Sequence, residues 1–242
     1  MSLKDTSLQV AAIVQARLGS TRLPGKVFTP LVDGKSVLEF LLDRLATCKK
    51  LSRVIVATTV EARDDRLAAW LEARGAPYWR GSEADCLDRV CQAGAKFEVD
   101  IIVRITSDCP LVPPDVVDEM VDNYLHNADR IDYLSNRQFT NYPEGVDVEI
   151  FTMKMLHEAA GKAAEGWERE HINYFFLERP ERFRIRYYNH GLGRDYSNHK
   201  LSVDTQADLD HLRRLFSRGL PRDFTFWDLA TALDRLDHPS SR

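Results

Sequence analysis

The sequence predicts an α/β fold with a mostly parallel, doubly wound central sheet and helices on both of its faces. Three short apolar runs, at residues 8–14, 53–59 and 100–105, have the composition of buried strands. Amphipathic runs with helical spacing separate them, and this alternation is typical of parallel strands joined by helical crossovers. The 242 residues allow one large domain or two small ones. Because no linker, repeat or low-complexity tract divides the chain, we expect a single domain over residues 1–242.

The helices in this pattern have recognisable end signals. Ser36 is a suitable N-cap for a helix to about residue 48, Gly75 ends a helix at residues 64–74, and Pro113 and Pro114 open one that reaches about residue 126. Further helices are predicted at residues 85–97, 152–164, 168–177, 206–216 and 226–236. Short strands are predicted at residues 77–79, 131–135, 146–151, 183–188 and 201–203.

The composition is that of a soluble globular protein, with 44% hydrophobic and 29% charged residues. The formal net charge of −4 argues against a general nucleic-acid binder, which is usually basic. No apolar run is long enough to span a membrane, and the polar residues 1–8 do not have the pattern of a signal peptide. The four cysteines lack CxxC spacing, so we expect reduced thiols in the cytoplasm and neither a zinc site nor a disulfide framework.

A basic loop, ARLGSTRLPGK at residues 16–26, follows the first predicted strand. Cationic and hydroxyl side chains can bind phosphate, and glycines let the backbone approach an anion closely. The residues with these properties are Arg17, Gly19, Ser20, Thr21, Arg22, Gly25 and Lys26. The spacing is neither GxxxxGK[ST] nor GxGxxG, and a basic surface turn is the alternative interpretation. The length and chemical consistency of the segment favour a phosphate-binding loop.

Two carboxylates follow predicted strands at positions suited to a metal. Asp108 comes directly after the strand at residues 100–105, and Asp204 follows the short strand at residues 201–203. Because ligands bind beyond the carboxyl ends of parallel strands, we expect Asp108 to lie near the basic loop. Two carboxylates facing a triphosphate can share Mg²⁺. The alternatives are a turn or capping role for Asp108 and an N-cap role for Asp204 before the helix at 206.

Five segments in order along the chain resemble the cytidylyltransferases that activate acidic sugars. They are ARLGSTRLPGK at 16–26, RITSDCPLVPP at 104–114, YPEGVDVEIF at 142–151, EREHINYFF at 168–176 and LSVDTQADL at 201–209. The sequence is most similar to the spore coat polysaccharide biosynthesis protein F subgroup of the acylneuraminate and 3-deoxy-manno-octulosonate enzymes. Val27 and the TSDCP at 106–110 depart from the usual residues of those two enzymes, so the sugar stays open.

The resemblance implies a Rossmann-like nucleotide-diphospho-sugar transferase domain, with a small dimerisation and sugar-binding lobe at residues 136–195. It implies CTP as donor and transfer of CMP to a sugar hydroxyl with release of pyrophosphate. It also implies Mg²⁺ on Asp108 and Asp204, and a homodimer. The triphosphate would be held by Arg17, Gly19, Ser20, Thr21, Arg22 and Lys26, with Ser82 near the nucleotide base. We expect Arg17, Lys26 and Asp108 to act in catalysis.

The candidate sugar-binding residues lie in the second half of the chain. Tyr142 suits stacking on a sugar, Asn136 and Arg137 suit its carboxylate, and Asp147 and Glu149 suit hydroxyls or a metal. A hairpin or dimer arm with ordinary surface charges is the alternative for each of them. Two further candidates, Glu170 and His171, lie on the predicted helix at 168–177. Each of them either binds the sugar or the partner subunit, or has an ordinary structural role. For His171 that structural role is the one of a buried interior histidine.

Two other functions remain open at this stage. A glycosyltransferase that uses a sugar nucleotide would share the fold, and Asp147-Val148-Glu149 is a loose variant of the D-x-D pair of such enzymes. A nucleotide-binding module without catalysis is the other alternative. The three cationic side chains of the loop favour a triphosphate over the diphosphate of a sugar nucleotide.

Overall fold

The computed structural model describes residues 8–238, which form a seven-stranded sheet with helices on both faces. Residues 1–7 and 239–242 lie outside the described range. Most of the segment at residues 1–8, which is predicted not to be a signal peptide, is therefore outside it as well. The strands of the sheet are β1 (Val10–Gln15), β4 (Arg53–Thr59), β5 (Tyr78–Gly81), β6 (Ile101–Thr106), β7 (Tyr133–Ser135), β8 (Glu149–Thr152) and β9 (Ile185–Tyr187). A separate two-stranded hairpin is formed by β2 (Pro30–Val32) and β3 (Lys35–Ser36).

Nine α-helices connect and cover these strands within residues 8–238. They are α1 (Val37–Leu45), α2 (Asp65–Ala73), α3 (Cys86–Lys96), α4 (Pro114–His126), α5 (Met153–Lys162), α6 (Gly166–Glu170), α7 (Ile172–Leu177), α8 (Gln206–Ser217) and α9 (Phe226–Asp237). The Ser36 hydroxyl caps α1 by accepting from the backbone of Glu39, as its position in the sequence indicates.

The sheet order is β5-β4-β1-β6-β8-β7-β9, with four parallel strands from β5 to β6 and β8 antiparallel to both of its neighbours. β1 is central, and its side chains alternate between two cores. Val10, Ala12 and Val14 pack into the core on one face, while Ala11 and Ile13 pack into the core on the other. Burial on both faces explains why β1 has a nearly continuous apolar sequence. The predicted α/β fold with a mostly parallel sheet is confirmed.

Two local features differ from the sequence prediction. Residues 201–203 are irregular and not a strand, although Lys200 forms a single parallel bridge with Glu144. The predicted helix at 168–177 is split at His171 into α6 and α7. The region predicted as a lobe, residues 136–195, contributes β8 and β9 to the central sheet. The lobe is therefore continuous with the main domain through these strands.

Gly145 determines how closely the irregular segment at 201–203 approaches the body of the domain. Its backbone has φ +94°, and a Cβ there would lie 2.4 Å from the backbone of Leu201 and Ser202. Leu201 donates a hydrogen bond to the Glu144 carbonyl at 2.7 Å, and the Ser202 hydroxyl donates to the Glu144 carboxylate at 2.7 Å. These contacts hold the segment that leads into Asp204.

No helix within residues 8–238 has the length and apolar character that a bilayer span requires. All four cysteines are free and buried.

Candidate functional site

The basic loop lies at the carboxyl edge of the parallel strands. Gln15, the last residue of β1, pairs in register with Ala57 of β4 and Thr106 of β6. The chain leaves β1 and β6 at the same edge, so residues 16–26 and the segment after Thr106 face one another there. The geometric expectation from the sequence is therefore met.

A buried carboxylate that the sequence analysis did not identify fixes the start of this loop. Asp64 is fully buried and ends a 3₁₀ turn, Ala62–Asp64, just before α2. One oxygen accepts from the Leu18 backbone N–H at 2.7 Å, and the other accepts from the Thr59 hydroxyl. The sequence suggests that Asp64 belongs to the start of a helix, but its side chain makes no capping bond to α2. It positions the loop instead.

The Lys26 ammonium joins the loop to both predicted metal ligands. Its Nζ lies 3.0 Å from Asp108 Oδ2, 3.2 Å from Asp204 Oδ1 and 2.7 Å from the Val203 carbonyl. The Lys26 side chain is only 12% exposed. The structure thus brings together a loop cation and two carboxylates that are 96 residues apart in the sequence.

The position of Asp204 follows from a backbone contact. The Val203 N–H donates to the Asp108 carbonyl at 2.7 Å, which places the following residue beside Asp108. The N-cap of α8 is Thr205, which forms a capping box with Asp208. The alternative N-cap role for Asp204 is therefore wrong, and its carboxylate is directed to the cations of the site.

Three cationic side chains surround the two carboxylates. Arg22 lies 3.0 Å from Asp204 Oδ1, and Lys200 lies 3.2 Å from Oδ2 of the same carboxylate. Burial by itself would raise the pKa of Asp108. The Lys26 ammonium and the hydrogen bonds from Thr106 and Lys26 outweigh that effect, so the pKa of Asp108 lies below its ordinary value. Asp108 is therefore ionised at neutral pH.

The donor set fits a divalent cation such as Mg²⁺. Carboxylate oxygens are the ligands that Mg²⁺ prefers, with water and phosphate oxygens at its other positions. Within residues 8–238, no three His, Cys, Asp or Glu side chains are grouped to hold a metal. Asp108 and Asp204 are the two carboxylates that would hold such an ion, and both contact the Lys26 ammonium.

An open cleft of about 340 Å³ lies between the loop and the carboxyl edge of the sheet. Its walls include most of the predicted triphosphate-binding residues together with Asp108. The lining residues are Gln15, Ala16, Arg17, Gly19, Ser20, Thr21, Arg22, Lys26, Glu83, Cys86, Arg89, Arg104, Thr106, Ser107, Asp108, Glu170 and His171. Ser82 lines a neighbouring cavity of about 710 Å³, which shares Arg17, Glu83 and Glu170 with the cleft.

Glu83 neutralises the guanidinium groups at the mouth of this cleft. Arg17 Nη1 lies 3.0 Å from Glu83 Oε1, and the other oxygen of Glu83 accepts from Arg63. The Arg63 guanidinium also lies about 3 Å from where a Cβ on Gly19 would be, so it packs closely over the backbone of the loop. Neither Glu83 nor Arg63 was identified from the sequence.

Because Glu83 pairs with Arg17, its carboxylate competes with any phosphate for that guanidinium. We expect Glu83→Gln to bind inorganic tripolyphosphate about five-fold more tightly than the wild type, which corresponds to about 1 kcal/mol. Isothermal titration calorimetry measures the change, with Glu72→Gln on exposed α2 surface as the charge-matched control. Equal or weaker binding by Glu83→Gln would show that Glu83 does not oppose the anion.

A buried network forms the floor of the cleft. Arg104 of β6 pairs with Glu149 of β8, and their side chains are 6% and 4% exposed. Arg104 Nε also donates to Gln15 Oε1 at 2.5 Å, and the Tyr133 hydroxyl donates to Glu149. The sequence predicts that Glu149 binds the sugar or a metal, but its carboxylate is paired with Arg104 and accepts a hydrogen bond from Tyr133. In the D-x-D-like segment Asp147-Val148-Glu149, which the glycosyltransferase alternative requires, the second carboxylate is therefore not free to bind a metal.

Two other sugar candidates have structural roles. Asn136 is 1% exposed, donates to the Val146 carbonyl at 2.7 Å and accepts from the Val148 N–H at 2.7 Å. Tyr142 is 2% exposed, and its ring packs against those of His190 and Phe226. Neither side chain is open to a ligand in this arrangement, so the structure does not support stacking of a sugar on Tyr142 or contact of its carboxylate with Asn136.

Arg137 and Asp147 form a looser pair beside this network, with Arg137 Nε 3.7 Å from Asp147 Oδ2. Arg137 is exposed, and the Asp147 side chain is 16% exposed. The pKa of Asp147 is raised to about 6, because burial and the nearby Glu149 carboxylate together outweigh the lowering effect of Arg137. Arg137 and Asp147 remain sugar-binding candidates.

The raised pKa of Asp147 predicts a pH-dependent stability contribution. A carboxyl whose folded pKa is above its unfolded value of 3.8 favours the folded state at low pH, and this contribution is lost as pH rises to about 6. We expect the stability of Asp147→Asn relative to wild type to increase by about 2 kcal/mol from pH 4 to pH 7.

Urea denaturation at each pH measures the difference, and Asp129→Asn is the control because the Asp129 side chain is 75% exposed. A difference between Asp147→Asn and wild type that does not change with pH would contradict this account of Asp147.

Glu170 and His171 are exposed and line the cleft at the junction between α6 and α7. The interior alternative for His171 is therefore wrong. Both residues remain candidates for contact with the sugar, because they face Arg17 and Glu83 across the same opening.

Comparisons with known proteins agree with the fold. The cytidylyltransferase family model matches residues 11–226. A cytidylyltransferase structure from Leptospira borgpetersenii serovar Hardjo-bovis has TM-score 0.87 and 36% identity, over 96% of each chain. Spore coat polysaccharide biosynthesis protein SpsF of Bacillus subtilis is 30% identical over 92% of this chain and 93% of its own length. A CMP:2-keto-3-deoxy-manno-octonic acid synthetase, complexed with CTP, has TM-score 0.67 over 88% of this chain and all of that one; at 17% identity it shows the fold alone.

Proposed function

Because the chain belongs to the cytidylyltransferase family of CMP-sugar-acid type, and is thus a nucleotidyltransferase, we propose that it transfers CMP from CTP to an acidic sugar in a magnesium-dependent reaction. The resemblance inferred from the five sequence segments is confirmed at the level of the family. The observation that carries the finer proposal is the contact of Lys26 with both Asp108 and Asp204. It supports a single site in which a cationic loop and two carboxylates act on one triphosphate.

The proposed reaction is a displacement at the α-phosphorus of CTP. A sugar hydroxyl forms the new P–O bond and releases its proton to water, while the bond between the α-phosphorus and its bridging oxygen breaks and pyrophosphate leaves with the electron pair of that bond. Arg17, Arg22 and Lys26 would hold the phosphate oxygens, and the Gly19–Ser20 backbone lets them approach closely. Asp108 and Asp204 would hold Mg²⁺, which when bound neutralises charge that builds up on the phosphates.

The acidic sugar would enter beside Glu170 and His171, with Arg137 and Asp147 as further candidates. Arg137 offers a cation for a sugar carboxylate, whereas Asn136, Tyr142 and Glu149 support the wall from inside. SpsF is named as a spore coat polysaccharide biosynthesis protein, and this similarity supports a role for the chain in the synthesis of a surface polysaccharide.

A pyrophosphate-release assay tests the proposal. Purified protein is incubated with CTP, MgCl₂ and, in turn, 3-deoxy-manno-octulosonic acid, N-acetylneuraminic acid and related 2-keto sugar acids. We expect pyrophosphate only when CTP, Mg²⁺ and one of these acids are all present, and EDTA abolishes it. Sugar transfer from a sugar nucleotide without pyrophosphate would instead identify a glycosyltransferase, and binding of CTP without any turnover would identify a non-catalytic module.

The proposal includes a homodimer in the cytoplasm. The free state of the four cysteines supports a reducing compartment. Phe139, 83% exposed, packs its ring against Tyr187 next to the sheet edge at β9, and this apolar pair supports a subunit contact there. Sedimentation velocity should give twice the chain mass of 27.7 kDa. A species of 27.7 kDa at micromolar concentration would contradict the dimer.

A further inference from the structure

The Lys26 ammonium has no hydrogen left for a phosphate in this structure. A lysine ammonium has three N–H donors and no acceptor. The three are used by Asp108 at 3.0 Å, Asp204 at 3.2 Å and the Val203 carbonyl at 2.7 Å. With 12% of the side chain exposed, solvent has little access to the group. The residue proposed to bind the triphosphate is therefore fully engaged with the residues proposed to bind the metal.

We infer that Lys26 is an internal counter-cation that a divalent cation must displace from Asp108 and Asp204, so that metal and nucleotide bind cooperatively. This inference rests on the proposed function, because it concerns the same two ligands. Within residues 8–238, Lys26 is the one cationic side chain paired with both carboxylates. Arg22 and Lys200 pair with Asp204 but not with Asp108.

The physical reason is electrostatic. Two neighbouring carboxylates repel one another unless a cation lies between them, and burial makes an unpaired charge costly. Lys26 satisfies them when the metal is absent, which keeps the site ordered. When a divalent cation takes the carboxylates, the Lys26 ammonium keeps the Val203 carbonyl but loses both of its negatively charged partners, so it requires another anion. The triphosphate supplies that anion, since Lys26 and the loop residues Gly19 and Ser20 line the same cleft.

Calorimetric titration with MnCl₂ alone tests the competition. We expect nucleotide-free Lys26→Gln to bind Mn²⁺ about tenfold more tightly than the wild type, because the competing cation is gone. Lys26→Arg retains the positive charge, so it should bind Mn²⁺ with the same affinity as the wild type. Lys26→Met provides a second neutral side chain if Lys26→Gln does not fold. Unchanged or weaker Mn²⁺ binding in a folded neutral variant overturns the inference.

A second titration tests the coupling. In the wild type, saturating CTP should raise the affinity of the protein for Mn²⁺ by about tenfold, after correction for the Mn²⁺ that binds to free CTP. In Lys26→Gln this increase should disappear. Lys200→Gln is the matched control, because it removes a positive charge from Asp204 while leaving Lys26 in place. It should retain the coupling. Loss of the coupling in Lys200→Gln as well would assign it to general charge and contradict a specific role for Lys26.

The two titrations also separate this inference from the proposed function. If the wild type binds no CTP, the proposed function fails, while the comparison with MnCl₂ alone still decides whether Lys26 competes with the metal. If the wild type binds CTP but the neutral variants bind Mn²⁺ like the wild type, the inference alone fails.

Discussion

Asp108→Asn is expected to lower kcat/KM for CTP by about 10³-fold, the largest effect on activity in this account. The substitution retains the size of the side chain but removes the negative charge that faces Lys26 at 3.0 Å. With that charge absent, one of the two proposed ligands of a divalent cation is lost, and we expect the charge that develops on the phosphates to be less well neutralised. Most of the loss should appear in kcat.

Steady-state pyrophosphate release measures the Asp108→Asn effect. Asp122→Asn is the matched control, because Asp122 is a half-exposed carboxylate on α4 that pairs with Lys50 at the surface. The control should keep wild-type rates. A reduction of less than about five-fold in Asp108→Asn, with the protein folded, would remove Asp108 from the catalytic centre.

Glu149→Gln is expected to destabilise the fold by about 3 to 5 kcal/mol. The substitution leaves the Arg104 guanidinium buried without its counter-charge, in a position where its side chain is only 6% exposed. It also weakens the hydrogen bond from the Tyr133 hydroxyl. Because breaking one partner of a buried pair costs more than removing both, Arg104→Met combined with Glu149→Leu should recover much of the loss.

Urea denaturation measures the free energy of unfolding of each variant. Asp210→Asn, which breaks an exposed pair with Arg213 on α8, should change it by less than about 0.5 kcal/mol. If Glu149→Gln were as mild as this control, the Arg104–Glu149 pair would not be a structural element. The carboxylate would then regain its place as a candidate for the sugar or the metal.

The parts of the fold that could be predicted are those set by local sequence. The strands β1, β4 and β6 are continuous apolar runs because they are buried on both faces, and such runs are visible without knowledge of their partners. Ser36, Pro113 and Pro114 mark helix starts through the backbone chemistry of their own residues. Asp108 could be placed near the loop because both follow parallel strands.

The irregular segment at 201–203 could not be predicted in the same way. Its apolar residues suggest a strand, but its hydrogen bonds go to Glu144 and Asp108, far away in the sequence. The close approach at Gly145 needs a left-handed backbone without a Cβ, and the segment that it contacts is far away in the sequence. The sequence predicts Asp204 for the site from its position after a strand that the structure does not form, as well as from the resemblance. The contact that brings Asp204 beside Asp108 is tertiary.

The missed residues share a physical cause, which is that each acts on a partner from another element. Asp64 looks like a helix start and holds the Leu18 backbone, while Glu83 looks like a surface acid and pairs with Arg17. Arg104 did leave a signal, since a charged residue inside a buried apolar strand requires a buried partner. Its partner, Glu149, was assigned to the ligand because sequence alone does not distinguish a carboxylate that faces a cleft from one beneath it.

A double-mutant cycle on CTP affinity tests whether the basic loop and the Asp108 carboxylate act on the same bound triphosphate. Arg17 and Asp108 line the same cleft, and the ion pairs that they make are with Glu83 and Lys26 respectively. Arg17→Gln, Asp108→Asn and the double variant are titrated with CTP in the presence of Mg²⁺. If one bound triphosphate meets both groups, their effects are coupled by at least about 1 kcal/mol. Effects that add within about 0.5 kcal/mol would show that the cationic loop and the carboxylate do not act on the same ligand.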